Sequence, residues 1–246
     1  MCALNVVKGM VLIMNEKQLI EELLKLNIKL TNNQLNQLKQ YYELLVEENN
    51  KYNLTRIIEE NEVYLKHFYD SLTISKIKEL NNQKICDIGT GAGFPGIVLK
   101  IVYPELDMDL IESNSKKCYF LNLVIKKLDL NKITVKNVRV EEYGTQVREE
   151  YDIVVARAVA PINHLLEFSM PLLKINGQFI AMKANLSNEL DNLKPYLEKL
   201  NCQLIKELDF ELPYEKSNRK LMMYQKQDKT SNKYPRKYSE IKKKAI

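Results

Sequence analysis

A chain of 246 residues is long enough for one full α/β domain with an accessory piece and too short for two ordinary domains. Its 45% hydrophobic and 28% charged residues belong to a globular protein, and its four scattered cysteines and two histidines favour neither a disulfide framework nor a zinc site, so a reducing cytoplasm and no metal are expected. The net charge of +5 is uneven: residues 226–246 hold eight lysines or arginines against two acids, which leaves residues 1–225 near neutral.

The stretch MVLIM at Met10 to Met14 lacks a basic flank and a small-residue cleavage site, and no run approaches the length of a membrane span, so neither secretion nor a membrane partner is expected. Met14 opens "MNEKQLIEELL", and residues 1–13 read as an upstream extension from a misplaced start codon. From Asn15 to about Leu80 the pattern is helical. Asn15 with Gln18, and Thr31 with Gln34, have capping-box spacing, and Leu35, Leu38, Tyr42 and Leu45 recur every three to four residues. "NKYNLTR" at Asn50 to Arg56 interrupts the pattern, and one further helix is expected from Glu59 to Lys78. Residues 1–80 therefore form an N-terminal helical extension. Within it, His67 and Asp70 of "KHFYDS" lie three apart on one helical face and point to the mouth of a cleft, with a structural histidine as the alternative.

From Lys84 strands and helices alternate. Strands are expected at "KICDI", "DMDLIE", "KITVKN", "YDIVVAR", "GQFIAMK", "CQLIKELDF" and "KLMMYQK", with helices after Gly93, Ser115, Pro161 and Ser187. This is a doubly wound, mostly parallel sheet over residues 81–226. Only "ELPYEKSNR" separates the last two strands, so they pair as a hairpin. Seven strands ending in a hairpin is the Rossmann-like class I arrangement of S-adenosylmethionine-dependent methyltransferases rather than the dinucleotide one.

The first strand runs into "CDIGTGAGFPGI", whose Gly91, Gly93 and Gly96 make a literal G-x-G-x-x-G. Asp87, two residues before Gly89, changes its meaning: a carboxylate at the strand tip repels a pyrophosphate but suits the ammonium and sulfonium of S-adenosylmethionine. Pro95 removes one amide donor where a dinucleotide fold uses amides to hold phosphate, and it suits the first turn of a helix. Glu112 ends the second strand in "LIES", 21 residues beyond Gly91, where an acid takes ribose hydroxyls. After the third strand, in "NVRVEEY", Val140 can lie against an adenine ring and Glu141 can accept from its amino group. Taken alone, Glu141 is a solvated loop acid; in series with Asp87 and Glu112 at adjacent strand ends it reads as functional.

The fourth strand continues into Arg157, Ala158, Val159, Ala160 and Pro161. It carries neither the polar-Pro-Pro-aromatic motif used on exocyclic amines of DNA nor a nucleophilic cysteine, and Cys118 reads as core. Such a site suits an acceptor with an in-plane lone pair, such as guanine N7, where alignment does most of the work and no proton need leave first. No residue is expected to act as a general base. Arg139, Arg157 and Lys183 would position the acceptor or neutralise phosphate, with a surface salt bridge or a solvated strand end as the alternatives. The tail at 227–246, with Tyr234, Pro235 and Tyr238 among its cations, can grip phosphate or fray in solvent.

"NLTR" at Asn53, "HFYDS" at His67, "CDIGTGAGFPGI" at Cys86, "ARAVAP" at Ala156, "PLLK" at Pro171 and "YPRK" at Tyr234 together resemble, in order, the bacterial 16S ribosomal RNA guanine-N7 methyltransferases, the glucose-inhibited division protein B family. The resemblance implies S-adenosylmethionine as donor, guanine N7 in small-subunit rRNA as acceptor, and cofactor contacts at Gly89, Phe94, Val140, Glu141 and Arg157. From the residues themselves, Asp87, Gly91, Gly93 and Glu112 join that set. The expected partner is 16S rRNA or the small ribosomal subunit, met by a monomer. The chain departs from the family pattern where Arg139–Val140–Glu141 replaces Arg-Ala-Glu, where Ala184 follows Lys183 in place of glycine, and where "YSEIKKKAI" follows "YPRK", so that the tail is expected to contribute charge alone. An NAD-dependent oxidoreductase and an RNA-binding protein that uses the cofactor only as a ligand are the competing readings.

Overall fold

The computed structural model describes residues 14–157, 159–184 and 193–246. Expectations that fall on residues 1–13 and on the stretch after Ser187 up to residue 192 lie outside them. Helix α1 (Glu16–Lys25) starts where Asn15 and Gln18 exchange side-chain-to-backbone hydrogen bonds, and α2 (Asn32–Tyr52) where Thr31 and Gln34 do the same. Both are the capping boxes that the sequence spacing predicts. The single helix expected over Glu59–Lys78 is instead composite: α3 (Glu60–Glu62), a π-helical stretch Val63–Tyr69, α4 (Asp70–Leu72) and a 3-10 turn Thr73–Lys76. The wider π turn inserts one residue per turn, a device common at functional sites.

Strands β1 (Lys84–Ile88), β2 (Asp107–Glu112), β3 (Ile133–Asn137), β4 (Tyr151–Arg157), β5 (Leu173–Lys183), β6 (Cys202–Glu211) and β7 (Asn218–Lys226) form one sheet in the order β3-β2-β1-β4-β5-β7-β6. β7 runs antiparallel to both neighbours and the remaining pairs are parallel, the expected class I arrangement with its terminal hairpin. Helices α5 (Gly96–Val102), α6 (Ser115–Lys127) and α8 (Ile162–Ser169) follow β1, β2 and β4 as the sequence predicts. Helix α7 (Val140–Gln146) follows β3, so that Val140 and Glu141 stand in a helical first turn rather than a loop, and α9 (Lys194–Lys199) precedes β6.

The sheet separates two apolar cores. On one face Leu19, Leu38, Tyr41 and Phe68 of the N-terminal helices pack with Ile97 and Val98 of α5 and Phe120 of α6. This burial is what holds a helical extension of mediocre intrinsic stability onto the sheet. On the other face Leu165, Leu166 and Phe168 of α8 pack with Tyr143, Tyr234 and Ile241. The C-terminal residues are therefore not a frayed terminus: α10 (Tyr238–Lys243) buries Ile241, and Arg148 donates to the carbonyls of Tyr234 at 2.8 Å and Thr230 at 2.7 Å. Among the described residues no helix is long and apolar enough to cross a membrane.

Candidate active site

The carboxyl ends of β1, β2 and β4 open into a cleft whose floor is the glycine loop. Gly93 takes a φ of +101°, and a Cβ there would fall 2.5 Å from both the Tyr41 hydroxyl and Ile97, so neither the backbone nor the space admits a side chain. Gly91 has a φ of +64° but meets nothing closer than the Gly89 carbonyl oxygen at 4.0 Å, so its Cα faces open cleft. Asp87 lies beneath this loop. Its Oδ2 accepts from the Gly96 amide at 2.8 Å and from the Thr90 hydroxyl at 2.6 Å, while Oδ1 is buried with no hydrogen-bond partner. Burial pushes its pKa up to about 6 against the lowering effect of those two donors. Asp87 is fully buried and lines neither of the two cavities of the cleft; its hydrogen bonds go to Thr90 of the loop and to the start of α5. The same bond occupies the first free amide of α5, which is the group a pyrophosphate would need.

A cavity of about 370 Å³ lies above the loop, between Gly89 and Gly91 on one side and Val138, Arg139, Val140 and Glu141 on the other. Glu112 ends β2 inside it. Its Oε2 accepts from the Gly91 amide at 3.0 Å and its Oε1 from the Asn114 amide at 2.8 Å, which fixes the carboxylate and leaves a lone pair on each oxygen for a ligand hydroxyl. Ile111, Val138, Val140 and Phe168 give the cavity apolar walls. Arg139 caps the start of α7 and stands 3.8 Å from Glu141, mostly in solvent at the rim.

A second cavity, about 420 Å³, lies toward the N-terminal helices and is lined by Thr55, His67, Asp70, Phe94, Lys183 and Arg219 among others. Arg157, at the tip of β4, organises it. Its Nη1 donates to the Lys66 carbonyl at 2.7 Å and to Asp70 Oδ2 at 3.3 Å, and its guanidinium lies 5.3 Å from the Phe94 ring centroid. Its Nη2 is 3.1 Å from His67 Nδ1. A guanidinium only donates, so Nδ1 accepts and the imidazole proton sits on Nε2, 3.3 Å from the Thr55 hydroxyl. Burial first, and the adjacent Arg157 second, lower the His67 pKa to about 3, so the ring is neutral. It stacks on Phe94 with centroids 4.1 Å apart. Lys183 is nearly buried, with Nζ donating to the Ala160 carbonyl at 2.6 Å.

The two cavities share Gly89, Gly91, Lys117 and Arg157. The structure thus brings together Gly89, Gly91, Glu112, Val140, Glu141 and Arg139 around one cavity, and His67, Asp70, Phe94 and Lys183 around the other, with Arg157 between them. Gly93, within the loop, and Asp87, beneath it, line neither cavity. Two further participants stand in no motif of the sequence. Lys117 lies in the first turn of α6, five residues beyond Glu112. Arg219, the second residue of β7, donates to Asp70 Oδ1 at 3.2 Å; because β7 is antiparallel, its first residues reach the carboxyl edge of the parallel strands.

A family model described as rRNA small subunit methyltransferase G matches residues 34–221. A ribosomal RNA small subunit methyltransferase G from Mycoplasma capricolum is 47% identical over 207 residues, 84% of this chain and 89% of that protein. Another, from Bacillus cytotoxicus, is 45% identical over 228 residues, 91% of this chain and 95% of that one. Among solved structures, a precorrin-6y C5,15-methyltransferase from Geobacter metallireducens superposes with a TM-score of 0.51 at 15% identity, covering 75% of this chain and 98% of its own. A SAM-dependent methyltransferase from Aquifex aeolicus gives 0.51 at 14% identity over 68% and 93%. At those identities the structural likeness concerns the fold alone.

Proposed function

The chain belongs to the rRNA small subunit methyltransferase G family, and from that premise we propose that it transfers the methyl group of S-adenosylmethionine to N7 of a guanine in 16S rRNA. The residues present fit the donor. Glu112, with one lone pair left on each oxygen, takes the ribose hydroxyls; Ile111, Val138 and Val140 flank the adenine, and Glu141 takes its amino group. Lys117 and Arg157, where the cavities meet, suit the carboxylate of the amino-acid end. When bound, the cofactor supplies an electrophilic methyl on a sulfonium.

One observation carries the choice of acceptor chemistry. The imidazole of His67 has both nitrogens engaged, Nδ1 by Arg157 and Nε2 by Thr55, so it does not take a proton from the acceptor. Guanine N7 has an in-plane lone pair and no proton to lose, and it needs orientation rather than a base. Arg157 provides the orientation: its guanidinium is fixed by a backbone carbonyl, a carboxylate and an imidazole. Lys183, held by the Ala160 carbonyl, and Arg219 add positive charge around the acceptor cavity, where an RNA backbone must pass. A monomer suffices, since both cavities are built from one chain.

The test is methyl transfer from labelled S-adenosylmethionine to small subunits from a strain lacking the gene, with the modified base mapped by strand cleavage at 7-methylguanine. A single new cleavage site in 16S rRNA is expected. Label incorporated without cleavage would place the methyl on another atom, and tight binding of NAD with none of S-adenosylmethionine would end the reading altogether.

A further inference from the structure

The C-terminal residues, which the sequence presents as little more than charge, reach the cofactor cavity. Glu167 on α8 has no solvent exposure, and both its oxygens are taken by one residue: Oε1 accepts from the backbone amide and Nε of Arg236 at 2.8 and 2.9 Å, and Oε2 from Nη2 at 2.7 Å. That clasp, together with Arg148 on the Tyr234 carbonyl, fixes the chain immediately before α10. Tyr238, the first residue of α10, is set with its ring against Phe168, centroids 6.3 Å apart, and edge-on to His164 at 6.1 Å. Tyr238 and Phe168 line the first cavity and do not line the second. Phe168 belongs to the apolar cluster against which Val138, Val140 and Tyr238 also pack.

We propose that the segment from Tyr234 to Ile241 is a wall of the cofactor pocket, in which Tyr238, backed by Phe168, contacts the purine and the Arg236–Glu167 pair positions it. This rests on the S-adenosylmethionine reading above and adds to it a purine-contacting side chain supplied by the end of the chain. An aromatic ring over a purine is worth a substantial share of a nucleoside's affinity, and here that ring depends on a buried ion pair two residues away.

The experiment measures binding by calorimetry with two probes, S-adenosylmethionine and 5′-methylthioadenosine, which keeps the nucleoside and lacks the amino-acid end. In Y238A the Kd for both probes is expected to rise about tenfold, by the same factor, and Y238F is expected to match wild type. Y238L, which keeps apolar bulk against Phe168, is expected to weaken binding nearly as far and guards against a loss caused by unfolding. R236K, which keeps the charge but loses the fork, is expected to fall between, again equally for both probes. Unchanged Kd values in Y238A and Y238L, with wild type binding normally, overturn the inference and leave the methyl-transfer reading standing. A loss confined to S-adenosylmethionine or to RNA overturns it as well, since the wall would then act elsewhere. A wild-type protein that binds neither probe ends the methyl-transfer reading and the inference with it.

Discussion

Arg157 Nη2 and His67 Nδ1 lie 3.1 Å apart, and since only the guanidinium can donate, the pair fixes both the imidazole tautomer and the arginine fork in one contact. The arginine is the one charged side chain of β4 that lines both cavities, and its alignment is set by the three protein groups that hold it. Replacing it with alanine is expected to lower kcat/KM by about 100-fold or more, the scale on which misalignment of a reacting pair is felt. R157K is expected to recover little of this, because an ammonium cannot hold the Lys66 carbonyl, Asp70 and His67 together. Steady-state kinetics on small subunits, with S-adenosylmethionine binding measured in parallel, checks both.

The pH dependence of folding carries a signature of His67. Its folded-state pKa of about 3 lies below the ordinary 6.5, so below pH 6.5 the unfolded chain takes a proton that the folded one refuses. The stability due to neutral His67 is present above pH 6.5 and is lost as pH falls toward 3, at up to about 1.4 kcal/mol per pH unit. Asp87 acts in the opposite sense: with a pKa raised from 3.8 to about 6, its penalty is greatest above pH 6 and fades on acidification. Urea titrations of H67Q and wild type at pH 4.5 and 7.5 should show the H67Q curve losing less stability on acidification. A parallel shift of the two proteins would mean that His67 titrates normally in the fold.

Two glycines of one loop should behave differently when given a methyl group. At Gly93 the Cβ meets the Tyr41 hydroxyl and Ile97 as well as a strained φ, and G93A is expected to cost about 3 kcal/mol of stability. At Gly91 there is strain but open space, and G91A is expected to cost about 1 kcal/mol while narrowing the cofactor cavity. Chemical denaturation paired with calorimetry separates the cases: G93A loses fold first, whereas G91A loses cofactor affinity at nearly normal stability.

The basic residues of the C-terminal segment can be tested without removing it. Deleting residues 227–246 would strip the clasp from Glu167 and the Tyr234 and Ile241 side chains from the core, so RNA effects and unfolding would be confounded. Lys237, Lys243 and Lys244 are exposed. Changing all three to glutamine is expected to weaken RNA binding and to flatten its log-log salt dependence by about 0.7 to 0.9 for each phosphate that is no longer neutralised. An unchanged slope would assign these lysines to solvent.

The strands and the capping boxes were legible because both signals are local: alternation or short apolar runs for β1, β2 and β4, and paired side chains three residues apart for α1 and α2. Helix α7 was not, since Arg139 caps it with no side-chain hydrogen bond and so leaves no composition signal. The π-helical stretch at Val63–Tyr69, six of whose seven residues are buried, has none either. In the site, Glu112 and Arg157 could be placed from strand ends alone, but Arg219 becomes visible only once β7 is known to run antiparallel at the edge of β5. The direction of Asp87 depends on the Gly96 amide nine residues on. The fate of the tail did leave one clue, a lone acid, Glu167, inside the apolar run "HLLEFS", which a buried helix face tolerates only with a cation on it.

Lys117 and Arg157 line both cavities, so on the proposed reading the two occupants share a single equilibrium. Whatever factor the amino-acid end of the cofactor imposes on nucleic-acid affinity by engaging those cations is, by reciprocity, the factor that the nucleic acid imposes on cofactor affinity. Affinity for either one is then a statement about the concentration of the other, and a ribosomal particle at saturating cofactor is a different ligand, thermodynamically, from the same particle without it.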